Sequence, residues 1–269
     1  MGGVMSKKEK KVTLENKEQQ KVTLPSLKGK RILIATPAYD GKVGLAYMNS
    51  LFKSLNAARA AGADIAYAVY ANSGSVPRTR NQAVAAMMGE GFTDLVFIDA
   101  DMGWDAEDFL KLCAPTGVGI LAATYPARSE NNPRWIVVWP DEIKQHPETG
   151  YLTAARAGTG FMRIERKVFE KLEELHPELH FEAPHTQDPK QKPHLHAFFK
   201  YELKEGKDGK RGHLSEDYFF CDLASDAGFL IWIDPSLRME HHGFKVFEGR
   251  FIDHVGIKEI EPGGELEEK

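Results

Sequence analysis

The sequence predicts a single α/β domain with a mostly parallel central sheet flanked by helices. Short apolar segments alternate with longer segments of helical periodicity, in the order strand, helix, strand, helix, strand over residues 31–98. This alternation is typical of parallel sheets with right-handed crossovers. The chain has 269 residues, 42% of them hydrophobic, which is enough for one domain with a substantial core. Polar motifs follow several predicted strands, as expected for a ligand site at a sheet edge.

Hydrophobic periodicity and turn residues place the elements in chain order. Pro37 ends the first strand, and Gly62 ends the first helix. Ser215 suits the N-cap of a late helix that ends before Gly228. Strands are predicted at 31–37, 65–70, 95–98, 119–126, 135–139, 197–201 and 229–234 and within 157–164, with helices at 45–61, from 76 through 87, after Asp105, at 165–175 and after Ser215.

Composition limits the functional classes. The formal net charge of -4 shows none of the overall positive charge that is typical of nucleic-acid-binding proteins. Cys113 and Cys221 are predicted to be buried thiols in a reducing compartment rather than a disulfide. No apolar run approaches the ~20 residues of a membrane span, and the N-terminus lacks a signal-peptide pattern, so we expect a cytoplasmic protein. The predicted organisation is a charged tail at 1–29, one domain at 30–256 and an acidic tail at 257–269.

Two carboxylates, Asp99 and Asp101, follow the apolar strand at 95–98. On an extended chain they would point to the same side, where like charges repel unless a cation lies between them or one carboxylate takes a proton. The sequence therefore predicts a divalent metal that in turn holds phosphate oxygens. The tripeptide alone also occurs by chance, and it is the preceding strand and the following helix that support the metal interpretation. Asp105 and Asp108 are interpreted as helix-capping acids.

Arg78 and Arg80 lie at the start of a predicted helix, where the helix dipole favours acids. An anionic ligand would explain them, and so would a surface position or a pairing with Asp94. Glu216 and Asp217, taken alone, are ordinary acids of a first helical turn.

Together and in this order, the motifs resemble the family-two-like glycosyltransferases of the GT-A fold, over roughly residues 30–249. The resemblance includes a bacterial and phage branch that carries an arginine–asparagine segment. It implies a nucleoside-diphosphate-sugar donor and a divalent metal, Mn²⁺ or Mg²⁺. The implied donor contacts are Thr36, Pro37, Tyr39, Asp40, Asn72, Arg78, Arg80, Asn81, Asp99 and Gly160, and the implied metal ligands are Asp99, Asp101 and His242.

The same resemblance implies that Asp217 is the general base and that Glu216 orients the acceptor, with inversion at the anomeric carbon. The given sequence shows no multiple apolar C-terminal segments like those of membrane-associated members. It also lacks the Gln-x-x-Arg-Trp signature of processive synthases, so a processive polymerase is not expected. A long loop at about 184–212 is predicted to be a lid or acceptor-binding element.

Several alternatives stay open. The acceptor is a saccharide or another hydroxyl compound, and the basic stretch from Lys190 to Arg211 allows a hydroxylated base in phage-type DNA. A nucleotidyltransferase shares the parallel sheet and the metal-bound nucleotide, although Tyr39-Asp40-Gly41-Lys42 is a poor match to its glycine-rich loop. A non-catalytic sugar-nucleotide-binding protein is the third alternative. The oligomeric state is left open.

Overall fold

The computed structural model describes residues 25–71, 74–129, 134–183, 186, 188–205, 209–243 and 245–255. Most of the tail predicted at 1–29 and all of the tail predicted at 257–269 lie outside these ranges. The strands are β1 (Arg31–Ala38), β2 (Asp64–Ala71), β3 (Asp94–Ile98), β4 (Met102–Trp104), β5 (Ile120–Ala122), β6 (Val137–Val138), β7 (Leu152–Ala154), β8 (Arg156–Ala157), β9 (Phe161–Glu165), β10 (Glu202–Glu205), β11 (Arg211–Leu214), β12 (Ile231–Ile233), β13 (Arg238–His242) and β14 (Val246–Arg250). The α-helices are α1 (Leu45–Ala60), α2 (Val76–Gly89), α3 (Ala106–Cys113), α4 (Arg166–Leu175), α5 (Glu216–Asp226) and α6 (Phe251–Val255).

A seven-stranded sheet in the order β2-β1-β3-β9-β5-β12-β7 forms the centre of the molecule. β1 is parallel to β2 and β3, and β5 is parallel to β12. β9 runs antiparallel to both of its neighbours, and β7 is antiparallel to β12. Five strands therefore share one direction, which confirms the predicted α/β fold with a mostly parallel central sheet and describes a Rossmann-like domain.

The sheet is covered on both faces, because alternate residues of its central strands enter two separate hydrophobic cores. In β3, Val96 and Ile98 pack on the side of α1 and α3, whereas Leu95 and Phe97 pack on the side of α2, α4 and α5. Burial on both faces explains why β3 is continuously apolar after Asp94. Cys113 and Cys221 are buried free thiols, as predicted.

A second, three-stranded sheet was not predicted from the sequence. Its order is β14-β13-β4, and all of its pairs are antiparallel. It places the end of β13 beside the residues that follow β3. None of the described helices is both long and apolar enough to cross a bilayer.

The predicted lid contains packed and exposed parts. The strand predicted at 197–201 does not form, because Phe198 and Phe199 turn into the core instead of pairing with another strand. His194 Nδ1 lies 2.8 Å from Glu173 Oε1 on α4, which anchors the segment before them. By contrast, the hairpin of β10 and β11 is exposed apart from Leu214. Residues 184, 185, 187 and 206–208 of this segment lie outside the described residues. Its function as a lid or acceptor-binding element stays a prediction.

Candidate functional site

The Asp99–Asp101 segment is a turn rather than a continuation of β3. The backbone N–H of Met102 donates to the Asp99 carbonyl at 3.1 Å, and the Gly44 N–H donates to the Ala100 carbonyl at 2.9 Å. The expectation that an extended strand points both carboxylates the same way is therefore wrong. The second hydrogen bond instead fixes the turn to the start of α1, and the two carboxylates meet different partners.

Arg80 of α2 joins two carboxylates that are far apart in the sequence. Its Nη2 lies 3.0 Å from Asp99 Oδ1, and its Nε lies 3.4 Å from Glu216 Oε1. The guanidinium lies over the Phe97 ring, 5.1 Å from its centroid, and only 4% of Arg80 is exposed. Burial by itself would lower the pKa of Arg80, but the charges of Asp99, Glu216 and Asp217 outweigh this effect and raise it. Arg80 is thus a permanently charged internal link.

Asp217 lies in the first turn of α5, next to this link. Its Oδ1 accepts hydrogen bonds from the Ser215 hydroxyl and from the Tyr218 N–H, the latter at 2.8 Å. Ser215 takes the predicted N-cap position, but among the described residues its hydroxyl binds Asp217 instead of the helix backbone. Burial raises the pKa of Asp217, the neighbouring Glu216 adds to the rise, and the hydrogen bonds and Arg80 oppose it. A carboxylate with a raised pKa is a stronger base than an exposed one.

Asp101 faces a different set of groups. Its carboxylate contacts the Arg128 guanidinium, and its Oδ2 lies 3.8 Å from His241 Nε2. His241 Nδ1 donates to the Pro126 carbonyl at 2.8 Å, since a carbonyl can only accept. In a neutral imidazole this leaves an Nε2 lone pair, which can bind a metal but forms no hydrogen bond with the Asp101 carboxylate, because both groups are acceptors. Burial lowers the pKa of His241, although the bond to Pro126 opposes this, so the neutral ring is favoured.

His242, the predicted metal ligand, lies on the other face of β13. Its Nε2 is 3.0 Å from Glu240 Oε2, and both groups lie over Gly103, where an added Cβ would meet them at 3.1 and 2.8 Å. Successive residues of a strand point to opposite faces, so only one of the paired histidines can reach Asp101. The structure brings His241 to Asp101. Sequence alternation could show that the two rings diverge, but not which one faces the site.

The described residues fit a divalent cation only in part. They contain no group of three His, Cys, Asp or Glu side chains arranged to hold a metal. Asp101 and His241 could supply two ligands. Magnesium-type sites commonly use one or two protein ligands and take the others from water and substrate phosphates. This pair therefore suits a cation that binds together with a phosphorylated ligand.

Four predicted donor contacts are buried, namely the internal link Arg80, together with Gly160, Thr36 and Asn81. The Thr36 hydroxyl is fully buried and hydrogen-bonds the Tyr47 hydroxyl. Asn81 is 4% exposed, and its amide exchanges two hydrogen bonds of 2.9 Å with the Phe199 backbone. The Thr36 and Asn81 side chains hold the fold together, so a direct contact with the nucleotide is not supported for either.

Four other predicted donor contacts, Pro37, Tyr39, Asp40 and Arg78, are more accessible. Tyr39 is 74% exposed, Arg78 is exposed, and Pro37 is half-buried. Asp40 is exposed, and its Oδ1 accepts the Lys42 N–H at 3.1 Å. Asn72 lies outside the described residues. The predicted donor contacts that retain free surface are therefore Pro37 near the end of β1, Tyr39 and Asp40 on the loop after it, Arg78 at the start of α2, and Asp99, whose side chain is 34% exposed.

Tyr125 was missed by sequence reasoning. Its hydroxyl accepts the Gly160 N–H at 3.1 Å, and an added Cβ at Gly158 would lie 2.7 Å from the same oxygen. A Cβ at Gly160 would also overlap this hydroxyl. The packing of Tyr125, together with Ile136 at Gly158, thus explains the two glycines without a ligand, whereas the resemblance implied that Gly160 contacts the donor. Burial raises the pKa of the Tyr125 phenol well above its ordinary value, and the charges of Asp99 and Asp217 add to the rise.

No protein-family model matches this chain, and no curated protein matches it either. Among solved structures, the A197 protein from STIV is similar to this chain at 20% sequence identity, over 79% of this chain and 86% of that chain, with a TM-score of 0.49. A likeness of this degree says nothing about activity, so function rests on the residues described above.

Proposed function

We propose that this protein is a metal-dependent glycosyltransferase that moves a sugar from a nucleoside-diphosphate-sugar donor to an acceptor hydroxyl with inversion. The observation that carries the proposal is the link through Arg80. It joins Asp99, in the motif assigned to the donor, to Glu216, in the motif assigned to the acceptor. Two motifs that a transferase needs side by side, over a hundred residues apart in the sequence, are thereby held in one site.

Asp217 is the general base in this proposal. Among the described residues its hydrogen bonds fall on Oδ1, which leaves Oδ2 for the proton of the acceptor hydroxyl. As that proton moves to Asp217, the acceptor oxygen bonds to the anomeric carbon and the bond from this carbon to the donor phosphate breaks. The raised pKa of Asp217 favours proton uptake. Glu216 is held by Arg80, so it is assigned to positioning rather than to proton transfer.

The opposite side of the site stabilises the leaving nucleoside diphosphate. Asp101 and His241 would hold the divalent cation, which when bound neutralises the charge that develops on the β-phosphate. Arg128, beside Asp101, supplies a second positive group at the same place. Arg80 occupies Asp99 Oδ1, which leaves Oδ2 for a ribose hydroxyl or the cation.

The test is a thermal-shift and calorimetric titration with UDP, GDP, CDP, ADP and their glucose conjugates, with and without Mn²⁺. We expect one nucleotide to stabilise the protein only with Mn²⁺, because the cation and the diphosphate complete each other's coordination. Asp101→Ala and His241→Ala should abolish the metal-dependent part. His242→Ala is the matched control on the same strand and should retain it. If no nucleotide binds to or stabilises the wild type, with or without Mn²⁺, the proposed transferase function is refuted.

A further inference from the structure

The hairpin of β10 and β11 presents an exposed face that the proposed chemistry has not used. Leu203 is paired directly with His213 across the two strands. Tyr201 lies diagonally opposite His213, and the centroids of the Tyr201 and His213 rings are 5.2 Å apart. Tyr201 is 54% exposed and Leu203 is 65% exposed. We call Tyr201, Leu203 and His213 the hairpin platform. Exposed aromatic and apolar side chains that adjoin a polar site are a feature of ligand-binding surfaces.

The opposite face of the hairpin holds it against the domain. Leu214 is buried, and Lys204 Nζ lies 2.6 Å from Asp222 Oδ2 on α5. Asp222 also receives two hydrogen bonds from Arg156, at 2.6 and 2.9 Å. Because one face is anchored in this way, the platform has a defined position relative to α5.

The chain connectivity places the platform beside Asp217. Leu214 ends β11 and is paired with Glu202, so Tyr201 lies at the end of the hairpin from which the chain enters α5. Burial raises the pKa of the Tyr201 phenol, and the charges of Glu216 and Asp217 add to the rise. Tyr201 therefore lies within electrostatic range of the proposed base, and the remainder of the platform leads away from it.

The charges around the platform favour a neutral ligand. Lys200 Nζ lies 3.2 Å from Glu202 and packs over the Phe219 ring, and Lys204 is paired with Asp222. These two lysines have carboxylate partners, and Arg211, an exposed cation on the platform's own face, lies directly opposite Glu205 in the strand register. Little unbalanced positive charge is therefore left for a polyanion. An aromatic ring binds the C–H face of a sugar without needing charge, while its hydroxyl can still form a hydrogen bond.

We propose that the hairpin platform is the acceptor subsite and that it binds an uncharged saccharide, which stacks on Tyr201 and His213 with one hydroxyl directed to Asp217. This inference rests on the proposed function. It identifies the substrate class on the acceptor side of the same site. Binding of a nucleic acid at the platform, in place of a saccharide, would contradict it.

The test is saturation-transfer NMR on the full chain, with the methyl glycosides of glucose, galactose, mannose and N-acetylglucosamine and with a short oligothymidylate as the polyanion. We expect at least one glycoside to bind through its ring protons. Tyr201→Ala should weaken that binding at least tenfold, and Tyr201→Phe should preserve it because the ring remains. Tyr67→Ala is the matched control, since Tyr67 is a half-exposed strand tyrosine on β2.

Three results would overturn the proposal: no binding of any glycoside, equal binding by Tyr201→Ala, or binding of the oligothymidylate alone through Tyr201. The nucleotide titration with Mn²⁺ is repeated on Tyr201→Ala. A retained nucleotide response together with lost glycoside binding isolates the acceptor subsite. A normal nucleotide response with no glycoside binding in the wild type rejects the platform but leaves the donor site standing.

Discussion

At the scale of single residues, Asp217 is where local structure and proposed chemistry meet most directly. Its position at the start of a helix favours the charged form, yet burial and the neighbouring Glu216 raise its pKa. The carboxylate is thus kept in an environment that costs stability once it is ionised. Such a cost is characteristic of residues retained for function rather than for folding.

Replacing Asp217 by Asn should therefore remove activity and increase stability. For a carboxyl group with a raised folded-state pKa, ionisation destabilises the native state. The penalty is absent below the ordinary value of 3.8, grows as pH rises through the folded-state pKa, and is constant above it. We expect Asp217→Asn to raise Tm at pH 7 relative to the wild type, with the difference vanishing towards pH 3. Thermal unfolding across this pH range measures it.

The same variant separates an enzyme from a non-catalytic sugar-nucleotide-binding protein. Loss of a general base should lower turnover of the sugar nucleotide identified by titration by about 10²–10⁴-fold, with donor affinity unchanged. Asp226→Asn, an exposed acid at the other end of α5, is the control and should alter neither property. Full turnover by Asp217→Asn would show that Asp217 is not the general base.

At the scale of elements, α2 performs two tasks with neighbouring residues. Arg80 links the two carboxylate motifs, and Asn81 binds both backbone groups of Phe199. The second contact holds the segment before the hairpin platform, so one helix positions both the charged link and the start of the proposed acceptor subsite. The first turn of α2 contains no acidic residue, and neither of these two contacts needs one.

Asn81→Ala should release the segment around Phe199 while leaving the sheet intact. Two buried backbone groups lose their partners, at about 1–3 kcal/mol for each group. Hydrogen–deuterium exchange should show faster exchange at 195–201 and unchanged protection in β1 and β3. Asn56→Ala, an exposed position on α1, serves as the control. Unchanged exchange at 195–201 would show that the buried aromatics hold this segment without Asn81.

At the scale of the whole molecule, the sequence predicted the sheet better than the site. The apolar run of β3 and the helical periods of α1 and α2 are local patterns, so the parallel layers could be predicted from them. The position of His241, rather than His242, beside Asp101 depends on the antiparallel pairing of β13 with β4, which joins segments more than a hundred residues apart. Tyr125 explains Gly158 and Gly160 only once these segments are assembled.

Arg80 is the residue through which this assembly can be tested as a whole. It connects α2, the end of β3 and the start of α5, and Glu216 is only 8% exposed. Arg80→Ala leaves a buried carboxylate without its partner, which costs about 3–5 kcal/mol. Arg80→Lys should recover little, since an ammonium group cannot hold both carboxylates as a planar fork does.

The double variant Arg80→Ala with Glu216→Gln decides whether this loss comes from the ion pair. Removing the stranded charge should restore part of the stability, so the two substitutions should be strongly non-additive in the free energy of unfolding measured by urea denaturation. Arg78→Ala, an exposed arginine of the same helix, should be close to wild type. Additive losses would mean that Arg80 and Glu216 act independently, and the donor and acceptor motifs would then need another connection. Non-additive losses would establish that the two halves of the site are assembled by one buried arginine.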